Sequence, residues 1–375
     1  MSKPRIFLSA GEASGDLHGA ALAVELRRLY PSADIVGLAG PRMQEAGVTP
    51  IVDFEPLVVM GFVEIVSRLP FFLSLRRTVA RVLHEDPPDI VIPIDYPGFN
   101  LWLTRQAHRA GIPVLYYIAP QLWAWRQERA KILADNAERV AVVFPQEEPF
   151  LRDFGVEAFF VGHPLLDRVE DWETPSEAIA ALGVDPKCPI LGILPGSRPQ
   201  EVGRLLDPFL EAAAEVRRRR PDVQVVVSGA PHVPDHYYAA VRDYTIADDS
   251  VRVLRASTAV LTKSGTTTVQ ASLTCTPLVV AYRVHPLSYL LARRLVRVDS
   301  ISMVNLLAGE RIAPEFVQHL PSDEIADALE PLLDADSSER KAMLESLRTV
   351  RNTLGQPGAP QRVARMAAEL LDGMV

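Results

Sequence analysis

Polar side chains crowd the turn that follows the first apolar run of the chain. The turn spans Ala10–Asp16 and contains Gly11 and Gly15, which let a backbone bend sharply and approach a ligand closely. It carries more polar side chains than a structural turn requires: Glu12, Ser14, Asp16 and His18. A helix start leaves N–H groups unpaired, and ligands of α/β domains bind at the carboxyl ends of strands. We therefore predict a ligand-binding turn here, before a helix that starts near Leu17.

Asp95 ends another predicted strand, in the segment Ile94–Asn100. A carboxylate in this position can remove a proton from an attacking alcohol. The alternative is an Asx turn or a cap for a helix that begins near Phe99. We favour the catalytic interpretation because the other polar turns are predicted to face the same cleft.

Aromatic and basic residues follow the next strand, in Ala119–Arg126. Trp123 and Trp125 are two residues apart and cannot share one helical face, and rings in such a loop often stack on sugars. Packing against the following helix is the alternative for either ring. His163 follows a later strand and is a candidate donor to a phosphate or a sugar hydroxyl, although a histidine in a turn is more often structural.

Two turns in the second half of the chain suit an anion. Gly196, Ser197 and Arg198 follow a predicted strand and precede a helix, and the arginine fork matches a phosphate, the alternative being a capped helix with an exposed arginine. The second turn repeats this order and is rich in hydroxyl groups: Lys263, Ser264, Gly265 and Thr266. A helix cap explains one hydroxyl but not several, so we predict a diphosphate site. The glycine–lysine spacing is not that of a P-loop.

Length and composition indicate two domains in a cytoplasmic protein. The 375 residues exceed one ordinary core, and a net charge of −8 argues against general nucleic-acid binding. Cys188 and Cys275 are too few for a metal cluster or a disulfide framework. We see no signal region and no apolar run long enough to cross a bilayer.

Short apolar runs alternate with helical segments, which is typical of doubly wound parallel sheets. In the first domain, the predicted strands are Arg5–Ser9, Asp34–Leu38, Asp89–Ile94, Val114–Ile118, Val140–Phe144 and Phe159–Val161. In the second, they are Ile190–Leu194, Val223–Val227, Val251–Leu254, Val260–Lys263 and Leu278–Ala281. Between the two series, Thr174–Glu177 reads as a capping box. The predicted domains are 1–165 and 166–344, with helices of about 345–375 returning to the first. Two such domains facing each other across a cleft form the GT-B architecture of sugar-nucleotide enzymes.

The stretch Met60–Leu73 is more apolar than a surface connection should be. A helix over Phe71–His84 would place one apolar stripe on one face and Arg77 and Arg81 on the other. With Arg68 and Arg76, this is similar to an element that docks on anionic lipid. The residues alone favour an ordinary core helix. The run Arg217–Arg220 is interpreted as the favourable cationic end of a helix.

Taken together, the motifs resemble lipid-A-disaccharide synthases, a family of inverting GT-B glycosyltransferases, over essentially the whole chain. The segments that carry the resemblance are Ala10–Asp16 with His18 and Gly19, Ala39–Met43, Val59–Gly61, Asp95 with Phe99 and Asn100, Trp123–Gln127, Gly162–Pro164, Leu194–Arg198 with Glu201 and Val202, Ser264–Thr266, Tyr282-Arg283 and Asn305–Gly309.

The resemblance implies transfer of the sugar of UDP-2,3-diacylglucosamine to 2,3-diacylglucosamine 1-phosphate (lipid X), giving a β-1,6-linked disaccharide 1-phosphate and UDP. Asp95 is then the base, and Glu12 and Asp16 assist catalysis. Predicted substrate contacts are Ser14, Gly15, His18, Trp123, Trp125, Arg126 and His163. Predicted UDP contacts are Gly196, Ser197, Arg198, Lys263, Ser264, Gly265, Thr266, Gln270, Arg283 and Asn305. The resemblance implies no metal or other cofactor, a site of action on the inner face of the inner membrane through Met60–Leu73 and nearby arginines, and allows a homodimer.

Two positions depart from the family pattern. Gly98 stands where many members have a second aspartate, and Gln270 where many have glutamate, which affects donor affinity by roughly 1 kcal/mol, the difference between charged and neutral hydrogen bonds. The alternatives are another GT-B enzyme on UDP-N-acetylglucosamine, such as a 2-epimerase or a transferase to a different acceptor, and a non-catalytic nucleotide-sugar or lipid-binding protein.

Overall fold

The computed structural model describes residues 3–52, 69–124, 126–231, 233–241, 244–284 and 300–373. The chain divides into two compact units. Unit 1 contains Met1–Asp167 and Leu354–Val375, and unit 2 contains Arg168–Thr353. The chain thus returns to unit 1 at residue 354 rather than near 345, because the helix that ends at Thr353 belongs to unit 2.

Unit 1 is built on parallel strands. Their bounds are β1 (Arg5–Ser9), β2 (Asp34–Leu38), β3 (Thr49–Pro50), β4 (Ile90–Pro93), β5 (Leu115–Tyr117), β6 (Arg139–Val142) and β7 (Ala158–Phe160). Hydrogen bonding orders them β3-β2-β1-β4 and β5-β6-β7. Parallel bridges from Val91 to Val114 and from Ile94 to Tyr117 join β4 to β5. The carboxyl ends of β1, β4, β5 and β6 therefore lie along one edge.

Helices follow most of these strands. They are α1 (Ala13–Leu29), α2 (Pro41–Glu45), α3 (Leu69–Glu85), α4 (Pro97–Arg109), α5 (Ala130–Asn136) and α6 (Glu147–Asp153). The apolar stripe predicted for α3 is present, since Leu75, Val79 and Leu83 are buried against the sheet while Arg77 and Arg81 are exposed. Short 3-10 helices cover Gln127–Arg129 and Pro164–Asp171.

Unit 2 contains a parallel six-stranded sheet of order β10-β9-β8-β11-β12-β13. The strands are β8 (Ile190–Leu194), β9 (Gln224–Ser228), β10 (Thr245–Ala247), β11 (Ala259–Thr262), β12 (Leu278–Tyr282) and β13 (Glu315–Val317). The helices are α7 (Pro175–Leu182), α8 (Pro199–Arg219), α9 (Ser250–Ala256), α10 (Thr266–Thr274), α11 (Met303–Ala308), α12 (Ser322–Leu329) and α13 (Ser338–Thr353), with 3-10 turns at Asp235–Tyr238 and Glu330–Leu333. The predicted capping box is confirmed, because Thr174 and Glu177 each bond the other's backbone N–H before α7.

The last helix, α14 (Ala359–Asp372), belongs to unit 1 and packs on α1. Gln361 donates to the Glu25 carboxylate at 3.1 Å, and the Tyr30 hydroxyl donates to Asp372 at 3.1 Å. These side-chain bonds tie the end of the chain to the first helix of the unit.

Two predicted elements are wrong. Val251–Leu254 lies in helix α9 rather than in a strand, and the Asp249 carboxylate caps that helix by accepting the N–H groups of Val251 and Arg252. Helix α1 begins at Ala13 rather than near Leu17, so the predicted ligand turn is in part the first turn of the helix.

Candidate active site

The start of α1 places the first group of predicted site residues in different environments. Ser14 is exposed and Glu12 is half-buried at the N-cap, while Gly15 is buried. Gly11 is required by packing, because a Cβ at this position would lie 2.2 Å from the Tyr96 ring. Burial, and secondarily the charge of Glu12, raises the pKa of Tyr96 to about 12. Glu12 and Tyr96 thus lie close together beyond the carboxyl ends of the paired strands β1 and β4.

Asp16 does not remain a catalytic candidate. It is buried, and its two carboxylate oxygens accept the N–H groups of Arg42 and Met43, both at 3.0 Å. Gly40 makes room for this contact, since a Cβ there would lie 2.4 Å from the Asp16 carboxyl carbon. Asp16 therefore caps helix α2, and the prediction of a catalytic role is corrected to a structural one.

Asp95 directly follows the bridge that joins β4 to β5, and its backbone is left-handed. Its φ is +48° and that of Tyr96 is +49°, values that residues other than glycine rarely adopt. Its N–H donates to the Tyr117 carbonyl at 3.0 Å. Its carbonyl accepts from the Asn100 amide and from the Tyr116 hydroxyl, each at 2.8 Å. The side chain is half-buried at the sheet edge, where a base is expected.

Glu147 is a buried acid near this edge that the sequence analysis missed. Its Oε2 accepts the N–H groups of Val143 and Phe144, at 3.3 and 3.1 Å, and so closes the turn between β6 and α6. Burial raises the pKa of Glu147 to about 8, and the Asp95 charge makes a smaller contribution in the same direction. The backbone hydrogen bonds and the Trp123 indole N–H favour the ionised form and lower the pKa in part. The signal in the sequence was a glutamate three residues after Phe144, the predicted end of this strand.

Of the two tryptophans predicted to contact substrate, the structure describes Trp123. Trp123 is half-buried, and its indole N–H makes no hydrogen bond of normal geometry to any residue that the structure describes. Trp125 lies outside the described residues. Arg126 is exposed with a left-handed backbone, φ +53°. Met60–Arg68, which includes most of the predicted membrane-docking stretch, also lies outside the described residues.

His163 is buried and neutral. Its Nδ1 accepts the Leu165 N–H at 3.2 Å, so its proton is assigned to Nε2. The ring packs against Phe144 with centroids 5.2 Å apart. Burial, and secondarily the charge of His18, lowers the pKa of His163 to about 3. His18, in the second turn of α1, is half-buried and close enough for its charge to act on His163.

In unit 2, one carboxylate joins the two predicted diphosphate turns. Glu201 accepts the Ser197 N–H at 3.1 Å and the Lys263 ammonium at 2.7 Å, and its carboxylate lies 4.0 Å from the Arg198 guanidinium. Gly196 has φ +128°, and a Cβ there would lie 2.6 Å from Glu201. The turns after β8 and β11 are therefore adjacent, and Lys263 is engaged by Glu201.

The other predicted nucleotide contacts lie around these turns. The Ser264 hydroxyl donates to the Ile301 carbonyl at 2.5 Å, Gly265 precedes α10 with φ +146°, and Thr266 is exposed at the first position of α10. Gln270 is half-buried one turn further along α10. Arg283 lines a cavity of about 350 Å³ together with Arg204, and its Nε donates to the Gln318 carbonyl at 3.2 Å.

Asn305 is a structural residue rather than a nucleotide ligand. It is 1 % exposed. Its amide nitrogen donates to the Ala313 carbonyl and to Glu315, at 2.9 and 2.8 Å, and its oxygen accepts the Ala313 N–H at 2.8 Å. These bonds hold the connection between α11 and β13, so the predicted UDP contact is corrected.

Neither a membrane-spanning helix nor a metal cluster is found in the described part of the chain. There, every helix is too short or too polar to cross a bilayer. Among the same residues, His, Cys, Asp and Glu side chains do not gather in groups of three or more that could hold a metal ion.

Two units of parallel sheet flanked by helices, with polar turns at the carboxyl ends of the strands, define the GT-B class. Known structures of this class share the fold at low sequence identity. A putative UDP-N-acetylglucosamine 2-epimerase from Listeria monocytogenes superposes with a TM-score of 0.67 at 16 % identity, covering 97 % of this chain and 95 % of that one. The calicheamicin glycosyltransferase CalG4 superposes with a TM-score of 0.61 at 18 % identity over 100 % of both chains.

The particular family follows from the sequence itself. Residues 6–365 match the family model described as lipid-A-disaccharide synthetase, and the chain belongs to that family. The lipid-A-disaccharide synthase of Geobacter sulfurreducens is 42 % identical over 378 residues, covering 99 % of this chain and 98 % of that protein. The chain is therefore an enzyme, a glycosyltransferase of the GT-B class.

Proposed function

We propose that the chain condenses UDP-2,3-diacylglucosamine with 2,3-diacylglucosamine 1-phosphate. The acceptor hydroxyl attacks the anomeric carbon of the donor, its proton passes to a base, and the bond to the UDP oxygen breaks with inversion. The products are a β-1,6 disaccharide 1-phosphate and UDP. The observation that carries this proposal is the family match across nearly the whole chain.

Asp95 is the proposed base, and its setting in unit 1 supports the role. Hydrogen bonds to its backbone N–H and carbonyl hold it in a left-handed conformation at the carboxyl end of β4, where α/β enzymes place reacting groups. Glu12, His18, His163 and Trp123 lie at neighbouring strand ends of the same unit, where they would contact the acceptor sugar. General base catalysis contributes about 10²–10⁴-fold to rate.

Unit 2 holds the donor in this proposal. The N–H groups at the start of α10 and the Arg198 guanidinium would stabilise the charge that develops on the departing diphosphate. Arg198 is 38 % exposed, which leaves part of its fork accessible to a ligand. The reaction would then use arginine and backbone amides for this task and need no metal ion, so turnover should persist in the presence of a chelator.

The membrane contact is a separate proposal. The acyl chains of both substrates favour a lipid surface, and α3 offers an exposed Leu73 together with Arg77 and Arg81. We expect Leu73→Glu to weaken sedimentation with anionic vesicles more than Val24→Glu, a change at a similarly exposed apolar residue on α1. Equal sedimentation of the two variants would contradict docking through α3.

The central test is disaccharide formation by purified protein from radiolabelled donor and lipid X, followed by chromatography. Asp95→Asn should reduce kcat by about 10²–10⁴-fold with little change in UDP affinity, whereas Glu12→Gln, the rival acid, should lose less. Turnover near the wild-type rate in Asp95→Asn would remove Asp95 from the mechanism. Incubation with donor alone reveals epimerase or hydrolase activity, which this proposal does not expect.

A further inference from the structure

The main chain at Asp95 is held in an unfavourable conformation by a small set of buried polar groups. Two consecutive residues other than glycine, Asp95 and Tyr96, have positive φ. Such conformations persist only where the surrounding structure determines them, and they cluster at active sites.

Two side chains donate to the same acceptor, the Asp95 carbonyl. The Asn100 amide and the Tyr116 hydroxyl each lie 2.8 Å from it, and both residues are completely buried. Tyr116 projects from β5 and Asn100 from α4, so the carbonyl accepts hydrogen bonds from two different elements. A carbonyl oxygen with two lone pairs is well matched to two donors.

Asn100 is itself held in place. Its amide also lies 3.1 Å from the Ser9 and Ile94 carbonyls, and its oxygen accepts the Ser9 hydroxyl at 2.6 Å. The end of β1 thereby orients Asn100, which in turn orients Asp95. Burial, and secondarily the Asp95 charge, raises the pKa of Tyr116 well above its ordinary value, so its phenol remains a donor.

We propose that Tyr116 and Asn100 are positioning residues for glycosyl transfer, which aim the Asp95 carboxylate by fixing the Asp95 main chain through its carbonyl. The direction of a side chain follows from φ and ψ, so loss of either donor lets Asp95 relax toward commoner conformations and misdirects the carboxylate. This inference rests on the proposed role of Asp95 as base.

The neighbouring residue provides a matched control. Tyr117 is equally buried on β5, but its hydroxyl makes no hydrogen bond to any of the described residues. Tyr116→Phe should lower kcat by about fivefold to tenfold, the loss of one neutral hydrogen bond, with KM for both substrates within about twofold. Tyr117→Phe should keep the wild-type kcat, because it removes only the hydroxyl and leaves the Tyr117 carbonyl, which accepts the Asp95 N–H, in place. The active fraction of each preparation is measured by UDP binding stoichiometry, so that reduced folding is not read as reduced turnover.

Asp95→Asn in the same assay distinguishes the role of Asp95 as base from the positioning role of Tyr116 and Asn100. If Asp95→Asn turns over normally, the function assigned to Asp95 is overturned. If Asp95→Asn is inactive but Tyr116→Phe and Tyr117→Phe have equal kcat, only the positioning role is overturned. If Tyr116→Phe fails to fold, Ser9→Ala tests the positioning role instead, because it removes the hydroxyl that orients Asn100. A lower kcat with unchanged KM supports positioning, and an unchanged kcat overturns it.

Discussion

Replacing Glu147 with glutamine should change how the stability of the protein depends on pH. The pKa of Glu147 is raised from 4.5 to about 8 by burial. Between these values the folded chain keeps a proton that the unfolded chain has released. Stability contributed by the protonated acid is therefore complete below about pH 4.5 and is lost as pH rises toward 8. Glutamine has no such proton.

The size of the effect follows from the shift. Each pKa unit corresponds to about 1.4 kcal/mol, so the difference in unfolding free energy between Glu147→Gln and wild type should grow by up to about 4 kcal/mol from about pH 5 to about pH 8. This change with pH is the test, because the absolute offset includes the fit of the amide to the Val143 and Phe144 N–H groups and to Trp123.

The measurement is chemical denaturation of both proteins across this pH range. Glu148→Gln is the matched control, because Glu148 is one residue along the same helix, partly exposed, and paired with Arg152 at 2.6 Å. The Glu148→Gln protein should be no more stable than wild type at any pH. A constant difference between Glu147→Gln and wild type from about pH 5 to about pH 8 would show that burial does not hold the proton on Glu147.

Further predictions concern single positions. His163→Gln should reduce the loss of stability in acid. The pKa of His163 is lowered from 6.5 to about 3, so between these values the unfolded chain binds a proton that the folded chain does not, and the folded state loses stability as pH falls. Thermal melting as a function of pH measures this loss in both proteins. Lys263→Met should destabilise unit 2 by about 1–3 kcal/mol, because Glu201 loses its ammonium partner and keeps only the Ser197 N–H and the more distant Arg198. The added change Glu201→Gln should restore part of this loss in denaturant titrations. Gly98→Asp should raise stability by about 0.5–1 kcal/mol, because a Cβ at this position would meet no atom of the described residues within 4 Å and an acidic side chain is favourable in the first turn of α4. A lower midpoint of unfolding would contradict this.

Strands with long apolar runs were predictable, and the short strands β3, β10 and β13 were not. The bounds of β1, β2 and β8 agree with the prediction residue for residue. The edge strands β3, β10 and β13 have only two or three residues, too few for a pattern to emerge. Three apolar residues in Val251–Leu254, within α9, suggested a strand, because so short a run does not distinguish the periods of a helix and a strand. The Asp249 cap before it was the better signal.

Glycines misled the prediction for α1. Gly11 and Gly15 suggested a turn, but Gly15 lies inside the helix, as does Gly19, and both serve packing. A Cβ on Gly15 would lie 3.3 Å from the Ala10 Cβ, and one on Gly19 would lie 2.5 Å from the Met43 sulfur. A sequence does not distinguish a glycine that bends the chain from one that lets a neighbour approach, since the neighbour is far along the chain.

The roles of acidic residues were hard to assign from the sequence, because their partners are distant residues or backbone groups. Asp16 caps a helix 26 residues away, and Glu201 pairs with a lysine 62 residues away. Glu147 closes its own turn, and Glu315 accepts from Ile301, Ser302 and Asn305. In each case carboxylate oxygens satisfy backbone or side-chain donors of the fold. At Asp95 it is the backbone N–H and carbonyl that are held by β5 and α4, in a conformation that would relax without them. Anchoring an acid through its main chain fixes the point from which its side chain projects, and such preorganisation is what a base requires.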